Sequence, residues 1–266
     1  MTSGGPYTDL GPFLLAAAGI AGLLVGSFLN VLVHRLPRGE SVISPGSHCP
    51  ACGAPVRAFQ NVPVLSWIAL RGKCAVCRAP ISLRYPAMEL ANGVLWVCVA
   101  LRGRDWGEIV SGAFLTSACL ALLAIDAEFQ ILPDKITLSG IAVGIALSFL
   151  SPSRSPGAAL IGAAVGAGGL FLVAFLYERI AGQEGMGLGD VKMLGMVGAF
   201  LGPWGVLLTV LLASLSGSVV GIALIAAGAG TRKLRLPFGV FLAIGAIAAF
   251  FFGEPLIARY RQMWPQ

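Results

Sequence analysis

Residues 11–33 read GPFLLAAAGIAGLLVGSFLNVLV, and residues 34–38 close them with HRLPR. Twenty-three residues without a charge, at ~1.5 Å of helical rise each, are long enough to cross a ~30 Å hydrocarbon layer. The basic exit marks the end that stays in the cytoplasm. Residues 1–10 carry no Lys or Arg, so the run reads as a retained anchor with its N-terminus outside, not as a cleaved signal.

The rest of the chain repeats this reading. Apolar runs follow at 86–101, 107–125, 135–151, 157–177, 191–201, 203–228 and 237–252. The expected fold is therefore an all-α polytopic membrane protein of about eight transmembrane segments. The 191–201 run covers only ~16 Å by helical rise, too little to cross upright. It starts deeper, continues past Gly202-Pro203, or turns back as a re-entrant hairpin. Composition agrees: 57% of the 266 residues are apolar and 11% charged, with a mean hydropathy of +0.86, so the solvent for most of the chain is a lipid bilayer. The formal charge of +6 does not indicate a nucleic-acid partner, because the basic residues are dispersed near the ends of the apolar runs. On the eight-segment reading, thirteen of the eighteen Lys and Arg fall on one face. That bias puts the polar stretch and the 126–134 and 178–190 loops in the cytoplasm. The chain divides into a first span (1–33), a cytoplasmic cysteine-bearing domain (34–84) and a multi-helix membrane domain (85–266).

Within the polar stretch, Cys49-Pro50-Ala51-Cys52 and Cys74-Ala75-Val76-Cys77 form two CxxC knuckles with 21 residues between them. Two residues between thiolates let both sulfurs of a turn face one ion, and two such turns close a tetrahedral zinc site. Disulfides are the rival reading, which a reducing cytoplasm disfavours. Four thiolates leave no open coordination position, so the zinc expected here on Cys49, Cys52, Cys74 and Cys77 is structural. Cys98 and Cys119 lie in apolar runs and read as core, while His48 and His34 read as loop and interfacial residues.

Twelve carboxylates are few enough to weigh singly. Asp9, Asp105, Glu108 and Glu254 fall in or beside external loops and ends. Glu40, Glu178 and Glu184 sit in cytoplasmic loops or close a span, and all seven read as solvated. Glu89 lies inside a span, so it is functional or structurally paired. Asp126 ends the third run and Asp190 opens the sixth, both at the cytoplasmic border. Two neighbouring carboxylates share a proton: the ionised one activates water and the other polarises a peptide carbonyl. Against this stands helix capping, for which Asp134 after Pro133, and Asp190 itself, are candidates.

Together these residues resemble the bacterial type IV prepilin peptidase (leader peptidase/N-methyltransferase) family. The resemblance runs nearly end to end: Gly26-Ser27-Phe28-Leu29-Asn30-Val31 with His34-Arg35-Leu36-Pro37, the paired CxxC knuckles, Arg84-Tyr85-Pro86 with Glu89, Ile125-Asp126 through Leu132-Pro133-Asp134, and Gly187-Leu188-Gly189-Asp190-Val191-Lys192. The last is a GxGD motif, shared in outline with presenilin-like intramembrane proteases. The resemblance implies that Asp126 and Asp190 are the catalytic aspartates, with Gly187, Gly189, Asp134, Lys192 and Glu89 in supporting or substrate-positioning roles. It further implies cleavage of basic leader peptides from prepilins or pseudopilins at the inner face of the bacterial inner membrane. N-methylation of the new N-terminus with S-adenosylmethionine would follow. No glycine-rich Rossmann-type loop marks a methyl-donor site. A proton- or cation-coupled transporter using the same carboxylates is the alternative, and it is disfavoured because transport sites tend toward the membrane midplane.

Overall fold

The computed structural model describes residues 11–152, 154–182, 187–228 and 236–263, without the Arg261 side chain. Among them the regular elements are all helices, apart from two isolated β-bridges in the cysteine loop. Asp9, Glu184 and the basic residues Arg232, Lys233 and Arg235 lie outside the described residues. The chain forms two compact units, Met1–Arg104 and Asp105–Gln266.

The first unit contains α1 (Gly11–Arg35), the short α2 (Leu65–Ala69) and α3 (Arg84–Arg102). Helices α1 and α3 run antiparallel at a distance that only glycine permits. A Cβ on Gly22 would lie 2.9 Å from the Gly93 Cα, and one on Gly26 2.7 Å from the Glu89 Cα. Such close backbone approach is how helices associate where water supplies no driving force. Two buried amides tie the pair: Asn92 Nδ2 donates to the Gly22 carbonyl at 2.7 Å and Asn30 Nδ2 to the Tyr85 carbonyl at 3.1 Å.

The second unit contains α4 (Trp106–Phe129), α5 (Asp134–Ser148), α6 (Pro156–Ala181), α7 (Leu188–Ala226) and α8 (Phe238–Gln262). Helix α4 is its centre, with Leu115, Cys119, Leu122 and Ile125 fully buried. Asp105 caps it: Oδ1 accepts the Glu108 N–H at 2.8 Å, and the Ser151 hydroxyl donates to both Asp105 oxygens at 2.9 and 3.0 Å. Glu108, expected to be solvated, is 3% exposed. The cap draws its turn under the 148–151 corner, where a Cβ on Gly107 would meet Ser151 at 2.6 Å.

The expected runs at 191–201 and 203–228 appear as one element, α7, interrupted at Gly202, whose φ of 69° and ψ of −179° are non-helical. The interruption reverses the chain. Before it, Gly140 and Gly144 of α5 pack on Met196 and Ala199, a parallel register, and Gly162 and Gly166 of α6 pack on Gly198 and Leu194, an antiparallel one. After it, Gly221 lies beside Leu236, Gly245 beside Ala213 and Gly253 beside Leu208, so this half runs antiparallel to α8. Leu132 touches both Gly189 and Gly239. The starts of α7 and α8 therefore share one end of the unit, and α7 leaves that end and returns to it. A positive φ is open to glycine without steric cost, and Pro203 supplies the helix start that follows. At the reversal, Arg154 Nη1 donates to the Phe200 carbonyl at 2.7 Å, which a continuous helix would have paired internally.

Five helices among the described residues are long and apolar enough to cross a membrane: Gly11–Arg38, Trp106–Phe129, Pro156–Ala181, Leu188–Ala226 and Phe238–Tyr260. The shortfall from eight has physical reasons. Helix α3 carries Arg84, Glu89 and Arg102, α5 has 15 residues, and α7 joins two of the expected runs.

Candidate active site

Asp126 sits in the last turn of α4, which Gln130 ends in the left-handed region (φ 53°) with its N–H donating to the Asp126 carbonyl at 3.0 Å. The Asp126 side chain is 5% exposed. Its Oδ2 accepts the Val240 N–H at 3.0 Å, and it lies so near α8 that a Cβ on Gly239 would be 2.8 Å from that oxygen. Only a glycine at the start of α8 admits the carboxylate to this position.

Asp190 stands in the first turn of α7, half-buried, with its N–H donating to the Gly187 carbonyl at 3.2 Å. Gly187, not Asp190, occupies the cap position, and no side chain caps the helix. Asp126 lies close enough for its charge to act on Asp190. The structure thus brings together two carboxylates 64 residues apart in sequence. Leu132 fills the space around them: its side chain lies 3.0 Å from where a Cβ on Gly189 would be and 3.0 Å from one on Gly239.

The other expected residues divide. Asp134 does not cap α5; Pro133 holds the cap position, and Asp134 is the first helical residue. Its carboxylate instead pairs with Lys192, whose Nζ donates at 2.7 and 2.9 Å. That pair fastens the start of α5 to the first turn of α7 beside Asp190. Glu89 belongs to the first unit and is structurally paired: its buried Oε2 accepts the Val64 N–H at 2.7 Å. Sequence reasoning missed Leu132, Gly239 and Val240 as site residues. The available signal was Leu236-Pro237-Phe238-Gly239, a proline and a glycine together opening the last apolar run.

Away from the dyad, the four knuckle sulfurs lie within 4.8 Å of one another, and Cys49 and Cys77 Sγ are 3.8 Å apart. A tetrahedral zinc with ~2.3 Å bonds requires sulfurs ~3.8 Å apart, so the cluster fits the ion. The two knuckles repeat one design. The Cys49 N–H donates to Ala54 and the Cys74 N–H to Ala79, at 2.9 and 2.8 Å, and Gly53 and Arg78 close the turns at φ 70° and 61°. The N–H groups of Cys77 and Val76 lower the Cys74 thiol to about 6, supplying a thiolate for metal capture at neutral pH. Cys77 moves up to about 11: the Ala79 N–H lowers it, and the hydrogen bonds its thiol donates to Cys52, Cys74 and Cys49, with burial, outweigh that. His48 is exposed and turned to the Gly46 carbonyl at 3.1 Å, outside the thiol cluster.

Comparison with known proteins follows the same division. Residues 20–103 match the bacterial peptidase A24 N-terminal domain, and residues 113–222 match the type IV leader peptidase family. The chain is 39% identical to a protein of Stutzerimonas stutzeri named prepilin leader peptidase/N-methyltransferase, covering 94% of each chain. It is 40% identical to one of the same name from Burkholderia pseudomallei (strain 1026b), over 91% of this chain and 86% of that protein. A third of that name, from Pseudomonas aeruginosa, is 37% identical over 91% and 92%. No solved structure matches.

Proposed function

This chain belongs to the type IV leader peptidase family, and on that premise we propose that it is a prepilin leader peptidase/N-methyltransferase with Asp126 and Asp190 as its catalytic pair. The observation that carries this reading is the convergence of the two carboxylates at the starts of α7 and α8, with Asp126 fixed by the Val240 N–H. One carboxylate, ionised, takes a proton from water; the other, protonated, polarises the scissile carbonyl, and the roles exchange as the leaving amine is protonated. Gly187 leaves room for an extended substrate strand, Gly189 gives its space to Leu132, and the Lys192–Asp134 pair holds the turn that presents Asp190. The substrate is the basic leader of a type IV prepilin or pseudopilin, whose apolar helix lies in the membrane.

The bilayer is the bacterial inner membrane, with the dyad at its cytoplasmic side. Eight crossings follow if α3 and α5 span alongside their partners and α7 counts as two limbs, which its reversal at Gly202 supports. Zinc on Cys49, Cys52, Cys74 and Cys77 would staple the loop and leave no open position for chemistry. S-adenosylmethionine would supply the methyl group for the new N-terminus.

The test is to incubate the purified protein with a membrane-embedded prepilin and read product mass with and without the methyl donor. The expected result is leader loss in both cases, and a further gain of one methyl only with the donor. An uncleaved prepilin with correctly folded enzyme overturns the reading.

A further inference from the structure

The cysteine loop presents apolar side chains outward. Between residues 36 and 84 only Cys49, Pro63 and Gly72 are buried. Phe59, Val62, Leu65 and Ile68, spaced three residues apart, are 66, 43, 66 and 60% exposed. They belong to one knit segment: the Ser66 hydroxyl donates to the Phe59 carbonyl, the Val62 N–H to the Ser66 Oγ and the Ser66 N–H to the Val62 carbonyl, each at 3.0 Å. Trp67 faces the other way, its ring against Gly72 and its Nε1 donating to the Ile81 carbonyl at 3.1 Å. The inward side is thus already occupied, and the four outward side chains have no place within the loop.

The level of this segment is fixed by Glu89. Its Cα lies beside Gly26 of α1, nine residues before Arg35, or ~13 Å along the helix axis. Its side chain and hydrogen bond together reach less than ~8 Å. The Val64 N–H that it accepts is therefore held inward of the Arg35 level, alongside the apolar part of α1. This holds the residues next to Val64 near the level at which α1 ends and α3 begins.

We infer that residues 57–71 are seated in the lipid–water interface of an anionic bilayer, with Phe59, Val62, Leu65 and Ile68 among the acyl chains. Arg57 and Arg71 flank the segment, as cations flank apolar residues at a membrane surface. Residues 36–84 carry Arg38, Arg57, Arg71, Lys73, Arg78 and Arg84 against the single acid Glu40. This charge attracts acidic headgroups and repels a basic leader peptide, so the occupant is lipid. The loop is a wedge laid into the surface from which α1 and α3 descend.

A photocrosslinking experiment decides it. The full-length, zinc-loaded protein carries p-benzoylphenylalanine at Leu65, or separately at Phe59, in nanodiscs of phosphatidylethanolamine and phosphatidylglycerol; Glu40 serves as the reference position. Intact mass after illumination should show phospholipid adducts at Leu65 and Phe59 at least ~5-fold above Glu40. One zinc per chain verifies that each variant is folded, and either position suffices if the other disturbs the loop. Adducts no more frequent than at Glu40 place the segment in water and overturn the inference. So does crosslinking confined to residues 105–266, or to a second copy, in place of lipid.

Discussion

Residues 36–84 and the helices from Asp105 onward are ordered by different means. The loop buries two side chains, those of Cys49 and Pro63, and is shaped by turn hydrogen bonds, one carboxylate and a cluster of four thiols. The helical unit is held by backbone packed on backbone. Gly162 and Gly198 face one another so closely that a Cβ on either would collide with the backbone of the other helix, and Gly166 meets the Leu194 carbonyl in the same way. A loop with so little core gains most from a removable staple, whereas glycine packing has nothing to remove. Losing the metal should unfold one region and leave the other standing.

The largest expected effect tests the chemistry lodged in the glycine-packed unit. Asp126→Asn and Asp190→Asn should each lower prepilin cleavage ~10³-fold, because an amide moves no proton. Both variants should purify with normal helix content and zinc. The double variant should be scarcely worse than either single one, since the two act as one unit. Wild-type cleavage should follow a bell-shaped pH profile whose limbs belong to the pair. Robust turnover by either variant, measured with a mass-resolved leader assay, would sink the dyad.

Next comes the packing itself. Gly162→Leu forces a side chain against the Gly198 backbone and should cost about 3 kcal/mol, read as a lowered Tm in detergent with metal content unchanged. A variant as stable as the parent would show that α6 and α7 do not need this contact.

A smaller effect is expected from taking the metal away. Serine at all four cysteines, or a strong chelator, should make residues 36–84 readily cut by protease while Tm of the helical unit holds. Cleavage of prepilin should fall less than ~10-fold, because a closed four-thiolate site supplies no water-activating position. Complete loss of cleavage with an intact loop would instead place the metal in the reaction. The smallest effect belongs to Asp134→Asn. Its partner pair with Lys192 is 33 and 56% exposed, so about 1 kcal/mol of stability or less is at stake. Activity should remain within ~3-fold of the parent in the same assay.

Local pattern and long-range contact account for what could and could not be read in advance. The runs at 107–125, 135–151 and 157–177 became α4, α5 and α6 with ends displaced by a few residues, because length and hydropathy alone define them. The knuckles were equally legible, since each closes within six residues. The environment of Asp126 was not. Its donor, Val240, lies 114 residues away, and no local spacing links the end of α4 to the start of α8. Glu108 failed for a related reason: a carboxylate near the start of a span looks solvated until the 148–151 corner folds over it. Gly202-Pro203 was recognised as a break, but whether the chain continued or turned back depended on which helices the two limbs met.

The meeting of three helix starts at the dyad has an electrostatic consequence. Helices α5, α7 and α8 begin at that end of the unit, while α4, α6 and the returning limb of α7 finish there. Each start carries roughly half a positive charge and each finish roughly half a negative one, so the macrodipoles of the set nearly cancel. What remains is the local field of the N–H groups nearest the carboxylates, built into the backbone before substrate arrives. The Val240 N–H on Asp126 is the visible part of that field. On the proposed mechanism, a tetrahedral adduct between the aspartates would gather negative charge as it formed, beside backbone N–H groups already oriented.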